Sequence, residues 1–333
     1  MTSFFFYAFS ISVFITLAVI YFTHRYSLFM DKHDTNKPQN FHTSETPRAG
    51  GIGIISGMGL LLVSAFGLKL IPSILFAFLS GIFEDFHNSL SPKLRLFLQF
   101  IAALMAVWLT DAVVTYLGLG IHLPYWLGVL FSLFAIVGMM NAINIIDGFN
   151  GLASGVILVI LSSFALISYE HNNTEMLQII SIVAGSVLGF FVLNFPKGKI
   201  FLGDGGAYML GFVVAVIGIF LASKYENVSP WYILSIFIYP VWEVLFSIIR
   251  KISIGLSPMQ PDSFHFHMLV HRQITKNNPL TALFIVLGIL PFSIASTLHS
   301  NNSFYNIKIS IAFIVCYVLL YAYLRHKEDK FTA

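Results

Sequence analysis

GAYMLGFVVAVIGIFLA, residues 206–222, runs without a charged or amide side chain. A transmembrane helix takes about 20 mostly apolar residues, with a range of about 17–25. Immediately before it stands Gly203-Asp204-Gly205, a carboxylate at the edge of an apolar helix. Long apolar runs with polar motifs at one end recur along the chain. The same ruler gives eleven candidate spans, at 4–22, 50–67, 70–83, 96–110, 124–140, 152–168, 177–193, 206–222, 231–249, 280–297 and 307–324. Only Gly67, Leu68 and Lys69 separate the second from the third.

The whole chain shares this character. Of its 333 residues 57% are hydrophobic and 10% charged, with a mean hydropathy of +0.83, whereas soluble globular proteins carry about 25% charged residues. A soluble fold of this length could not hide so much apolar surface, but a lipid bilayer solvates it. The expected fold is all-α, a polytopic transmembrane helical bundle forming one domain over residues 1–333. A net charge of +3, small and scattered, gives no footprint for nucleic acid. Cys316 is the one cysteine, so no disulfide closes within the chain and it reads as a structural thiol. The run from Phe4 to Phe22 lacks a basic leader and a small-residue cleavage site, and reads as a retained helix rather than a signal sequence.

Charge orients the bundle. With eleven spans, the connections after the odd-numbered ones share a side that holds 15 of the 18 basic residues, and only Lys69, Lys224 and Lys308 fall opposite. The positive-inside rule puts the rich side in the cytoplasm, with the N-terminus periplasmic and the C-terminus cytoplasmic. Ten of the 15 acidic residues sort to that same side. Carboxylates at a membrane boundary are costly unless solvated, paired or metal-bound, and here several motifs bring them to one face. The loops 23–49, 84–95, 141–151, 194–205 and 250–279 are expected to form the site.

Glu84-Asp85 closes the third span, ahead of Ser91-Pro92-Lys93-Leu94-Arg95. Neighbours in a helix point about 100° apart, so these carboxylates serve different partners, and Lys93 and Arg95 suit phosphate. Asn141, Asn144 and Asp147 recur at helical spacing, two amides and a carboxylate on one stripe, before Gly148-Phe149-Asn150-Gly151. Gly148 there permits a left-handed, helix-ending turn. Bridging between helices is the common structural role of membrane amides, yet a stripe ending in Asp-Gly is more specific than bridging needs. In Asn194-Phe-Pro-Lys197-Gly-Lys199-Ile-Phe-Leu-Gly203-Asp204-Gly205-Gly206 the glycines allow a phosphate to approach backbone at a helix N-terminus. Asp204 would there hold a divalent cation; hard oxygen ligands fit Mg²⁺, with Mn²⁺ an alternative. In Pro261-Asp262-Ser263-Phe264-His265-Phe266-His267 the two histidines face one side if the backbone is extended. No third ligand or cysteine accompanies them, so they read as donors to a pyrophosphate or as walls of a sugar pocket rather than as zinc ligands. Without a P-loop or Rossmann glycine pattern, the set points to nucleotide-diphosphate chemistry between a soluble and a lipid substrate.

These motifs together resemble the polyprenyl-phosphate N-acetylhexosamine-1-phosphate transferases, the bacterial membrane family of WecA-like and MraY-like enzymes. The matching stretches are Thr46-Pro47-Arg48-Ala49-Gly50-Gly51, Glu84-Asp85 with Lys93 and Arg95, Asn141 to Leu152, Asn194 to Gly206 and, more loosely, Asp262 with His265 and His267. The resemblance implies transfer of a sugar 1-phosphate from a UDP-N-acetylhexosamine to undecaprenyl phosphate, releasing UMP at the cytoplasmic face of the bacterial inner membrane. It implies Asp85 as the acidic residue that activates the lipid phosphate, Glu84 beside it among the catalytic groups, and Asp204 with Asp85 as metal ligands. It implies Asp147 and His265 among the catalytic groups, and Arg48, Lys93, Arg95, Asn141, Asn144, Asn150, Asn194, Lys199 and His267 as substrate contacts. Three positions depart from the usual pattern. Glu84 stands for Asp, Met268 replaces a third histidine, and Asn150 rather than Asp favours the WecA-like branch, which starts O-antigen and similar lipid-linked glycans. A homodimer is compatible with the apolar surface. The reading from a different class is a transporter of an anionic or nucleotide-linked solute, whose polar site belongs near the bilayer midplane in broken helices.

Overall fold

A helix apolar on every side has no face for water and belongs in the middle of a bundle, and that is where α8 (Gly203–Lys224) lies, buried over almost its whole length. The computed structural model describes residues 2–26, 29–31, 46–87, 90–257 and 262–332. Parts of the expected site loops, 27–28 and 32–45 of the 23–49 loop and 258–261 of the 250–279 loop, lie outside them.

Around α8 are α1 (Thr2–Tyr26), α2 (Gly50–Met58) with a 3-10 turn at Gly59–Val63, α3 (Ala65–His87), α4 (Pro92–Thr110), α5 (Tyr125–Ile146), α6 (Leu152–Glu170) and α7 (Thr174–Asn194). Then follow α9 (Pro230–Ile236), α10 (Ile238–Ser253), the short α11 (Phe266–Val270) with a π-turn at His271–Thr275, α12 (Asn278–Leu298) and α13 (Ser303–Thr332). The two strands, β1 (Met30–Asp31) and β2 (Thr46–Pro47), form one small antiparallel ladder that seats the chain before α2. Among the described residues nine helices are long and apolar enough to cross a bilayer, and α9 with α10 would add a tenth. The protein is an all-α, polytopic membrane bundle. Exposed Phe14, Trp108, Phe134 and Leu298 on its outer helices are what lipid-facing surface requires.

Two boundaries differ from the sequence reading. Gly67, Leu68 and Lys69 do not separate two spans; they lie inside α3. The break falls at Ser64, which is extended and accepts the Gly67 N–H on its hydroxyl at 3.0 Å, a serine cap at the start of α3. The helical segment before it, Gly50–Val63, is about 23 Å long, shorter than the roughly 30 Å hydrocarbon core. The run 231–249 is likewise not one straight helix, because α9 and α10 meet at 75° around Phe237. Pro240 sits in the first turn of α10, where its missing N–H is harmless but inside a continuous helix would break the ladder.

Backbone contacts position the polar end. A Cβ on Gly81 would lie 2.3 Å from the carbonyl carbon of Asp204 and from the Gly205 nitrogen, so α3 and α8 touch backbone to backbone there. Gly51 meets Gly206 in the same way, bringing α2 onto α8. The glycines around Asp204 therefore serve helix packing, where the sequence suggested an open approach for phosphate. Ser91 caps α4 by accepting from Leu94 N–H at 3.3 Å, with Pro92 in the first turn.

Candidate functional site

The C-terminal ends of α3 and α5, the N-terminal ends of α4 and α8, and the residues leading into α2 converge at one end of the bundle. At their centre is Asp204, in the first turn of α8. Its Oδ1 accepts from Arg48 Nη2 at 3.2 Å and Asn144 Nδ2 at 3.0 Å, and its Oδ2 from Arg95 Nη1 at 3.3 Å. Three elements thus bring two guanidinium groups and an amide to one partly buried carboxylate, a concentration of donors suited to phosphates.

Asp85 is bound differently. Its Oδ1 accepts the Asp204 backbone N–H and its Oδ2 the Gly205 N–H, both at 2.9 Å. These N–H groups open α8 and lack partners within the helix, so Asp85 caps α8 from the neighbouring α3. Gly203 makes room for it: its φ is +78°, and a Cβ there would stand 2.7 Å from Asp85 Oδ2. With a side chain only 1% exposed and Arg48 Nε at 3.9 Å, Asp85 holds the turn that carries Asp204. Glu84 faces elsewhere and accepts the Leu90 N–H at 3.2 Å on Oε2.

Asp147 closes α5. The left-handed glycine expected at Gly148 is found instead at Gly151, φ +82°, which opens α6; Gly148 N–H bonds the Ile146 carbonyl, an inverse γ-turn around Asp147 that ends α5. Among the described residues no donor meets the Asp147 carboxylate. Burial pushes its pKa up to about 7, Arg48 pulls it down and the negative Asp204 pushes it up further. Beside it stands His267, fully buried and without a partner on either ring nitrogen among the described residues. A Cβ on Gly148 would lie 3.2 Å from His267 Nε2, and Phe149 packs edge-on against the ring. Burial pushes the His267 pKa down to about 4, Glu243 opposes that, and His265 and Arg272 add to it.

The histidine segment is not extended. His265 precedes α11 and His267 lies in its first turn, yet the rings are parallel, 5.4 Å apart at 2°. The helix forms because Glu243 of α10 accepts the Phe266 N–H at 3.0 Å, capping α11, while also accepting from His265 Nδ1 at 3.0 Å. Asp262 pairs with Arg250 at 2.7 Å and Lys251 at 3.6 Å, which ties this segment to the end of α10.

Other amides from the motifs join elements rather than face the cluster. Asn141 Nδ2 donates to Gln99 Oε1 and to the Val137 carbonyl, both at 2.8 Å, linking α5 to α4. Asn194 accepts Gly151 N–H at 2.6 Å and donates to the Ile200 carbonyl at 2.7 Å. Asn150 donates to the Pro196 carbonyl at 3.2 Å, and its own N–H meets Asn278 Oδ1 at 2.8 Å. These bonds fasten the 147–151 and 195–202 loops together. Lys93 and Lys199 are exposed at the rim. Gln99 was not read from the sequence, since a single polar residue in an apolar run gives no signal of its partner, and Asn278 sits in a polar turn that reads as an ordinary helix start.

Among the described residues no group of three or more acidic, histidine or cysteine side chains is placed to cage a metal. Mg²⁺ does not need one, because it keeps waters, shares substrate phosphates and takes one or two protein carboxylates. Asp204, with the neighbouring Asn144 amide, fits that pattern of hard oxygen donors; Asp85, both oxygens on backbone N–H groups, fits it less well.

Residues 68–222 match the family model described as Glycosyl transferase family 4. The chain is 30% identical over 319 residues to the undecaprenyl-phosphate alpha-N-acetylglucosaminyl 1-phosphate transferase of Thermotoga maritima, covering 94% of each. It is 28% identical over 326 residues to a Bacillus subtilis protein named a probable undecaprenyl-phosphate N-acetylglucosaminyl 1-phosphate transferase, with 92% of this chain and 88% of that one covered. A phospho-N-acetylmuramoyl-pentapeptide-transferase of Streptococcus agalactiae is 30% identical over 198 residues, 56% of this chain and 58% of its own.

Proposed function

The chain belongs to glycosyl transferase family 4, and from that premise we propose that it moves an N-acetylhexosamine 1-phosphate from a UDP-sugar to undecaprenyl phosphate, releasing UMP. The exchange makes a phosphorus–oxygen bond between the lipid phosphate and the sugar phosphate and breaks the one to UMP. The observation that carries this reading is the convergence of Arg48, Arg95 and Asn144 on Asp204 at one end of a membrane bundle. A lipid phosphate held at that end can meet a soluble nucleotide sugar.

Phosphoryl transfer needs in-line positioning and charge neutralisation more than covalent protein chemistry. Arg48 and Arg95 neutralise phosphate oxygens. Asp204, with Asn144, would hold Mg²⁺, which would supply neutralising charge for the phosphates. Asp147 handles the lipid phosphate's proton, since a carboxyl titrating near 7 exchanges protons efficiently at cellular pH. Asp85 keeps the Asp204 turn in place, and Glu84 supports the segment after α3. His265 and His267 border the site from the α11 side, and Lys93 and Lys199 draw the anionic donor to its rim. We also infer eleven crossings with the N-terminus periplasmic and the site cytoplasmic. The basic-residue asymmetry supports this, as does the alternation of the helix ends that meet at the polar cluster. The product would start a lipid-linked glycan such as O-antigen.

The test is UMP release by purified protein given undecaprenyl phosphate, Mg²⁺ and a panel of UDP-N-acetylhexosamines. Release with at least one donor is expected, falling about 100-fold or more in Asp204→Asn while thermal unfolding stays cooperative. No release with any donor, together with solute flux through proteoliposomes, would establish the transporter instead.

A further inference from the structure

The segment carrying the two histidines rests on one buried carboxylate that the reaction itself does not call for. Glu243 of α10 is 1% exposed. Its Oε1 accepts from His265 Nδ1 and from Phe266 N–H, each at 3.0 Å, and its Oε2 accepts the Tyr317 hydroxyl of α13 at 2.9 Å. A carboxylate inside a membrane protein is expensive unless satisfied, and these three donors satisfy it. They come from the end of the histidine loop, the first turn of α11 and the last long helix, so one side chain fixes the segment against two helices.

The same geometry selects the histidine tautomer. Oε1 already receives a backbone N–H, so toward the ring it acts as an acceptor and Nδ1 must carry the proton. A ring tied at Nδ1 keeps Nε2 as its free nitrogen, with no partner among the described residues. Nε2 is then the ring nitrogen left for a substrate, accepting from a protonated phosphate oxygen or, on a doubly protonated ring, donating to one. The stacking of His267 on His265 and its closeness to Gly148 carry that orientation to the loop bearing Asp147.

We propose that Glu243 is a positioning residue for the transfer, fixing His265 as the Nδ1–H tautomer with Nε2 free for a substrate phosphate. This rests on the proposed transferase activity. It differs from a purely structural role, in which Glu243 would only tie α10 to α11 and α13.

A double-mutant cycle with UMP release separates the two roles. Glu243→Gln is expected to lower kcat/KM about 10- to 100-fold, the range seen when a partner that orients a functional histidine is lost. In a His265→Ala background the same substitution should change little, because the residue through which Glu243 acts is already gone. Equal losses in both backgrounds of an active enzyme would overturn the proposal. The second readout needs no turnover. Long-range ¹H–¹⁵N spectra of histidine-labelled wild-type protein, with His265 assigned by its absence in His265→Ala, should show the proton on Nδ1. A proton on Nε2 alone would overturn the proposal even if Glu243→Gln did not fold. Absence of UMP from the wild type with every donor is a separate failure, that of the activity.

Discussion

Asp147 and Asp204 lie at the same end of the bundle in different surroundings. Asp204 receives two guanidinium groups and an amide, whereas the Asp147 carboxylate has burial against it and no donor among the described residues. Folding lifts the Asp147 pKa from 3.8 to about 7, so the folded state favours the protonated acid. Its contribution to stability is fully present below pH 3.8 and is lost as pH rises through about 7. Asp147→Asn keeps the shape and removes the charge. The variant should unfold at a higher temperature than the wild type above about pH 7, with the gain shrinking toward acid, and should lose turnover. Thermal unfolding in detergent between about pH 5 and pH 8.5 checks this; a gain independent of pH would mean that Asp147 is already charged and solvated in the fold. The trade of stability for a carboxyl that titrates near neutrality is what a proton-handling group requires.

At the scale of elements, the site depends on how closely α3 and α8 approach. Asp85 can cap α8 only because Gly81 and Gly205 let the two backbones touch, and Gly203 adopts a left-handed turn beneath the cap. A side chain at Gly81 would meet backbone atoms, which cannot swing aside as a flexible side chain does. Gly81→Val should therefore destabilise by about 3 kcal/mol or more and move Asp204 out of reach of Arg48 and Arg95. Gly138 of α5 is the matched control, since a Cβ there meets nothing within 4 Å. The comparison is thermal stability and UMP release of the two valine variants. Equal stability would show that the α3–α8 contact is looser than its geometry implies.

For the whole molecule, the proposed reaction requires the helix ends that meet at Asp204 to lie on the side the soluble substrate reaches. In a Cys316→Ser background, cysteines at Glu226, in the turn after α8, and at Lys197, in the turn before it, report on opposite faces; both native side chains are exposed. A membrane-impermeant maleimide should label Glu226→Cys in intact spheroplasts and Lys197→Cys only after permeabilisation. The reverse pattern would turn the whole topology over and move the site to the periplasmic side. The short Gly50–Val63 segment is flanked by α1, α7 and α8, so protein rather than hydrocarbon surrounds the crossing proposed for it.

Hydrophobic run length by itself determined that this is a helical membrane protein, because bilayer thickness is a fixed ruler and backbone groups in lipid must bond within their own helix. Local sequence also led to the expectation that Asp204, Asp147, Asn144 and Arg95 share one site, since carboxylates at a membrane boundary are costly unless satisfied, and the family resemblance added Arg48. Tertiary structure alone decided which of them meet. Nothing within a span says that Asn141 faces Gln99 of another helix while Asn144, one turn on, faces Asp204. Nor could adjacency in Glu84-Asp85 reveal that one carboxylate caps α8 and the other bonds its own chain six residues ahead. Hydrogen-bond partners 42, 60 and 119 residues apart depend on helix rotation and close backbone approach, which the bundle sets as a whole, and the 3.6-residue period constrains only neighbours on the same helix.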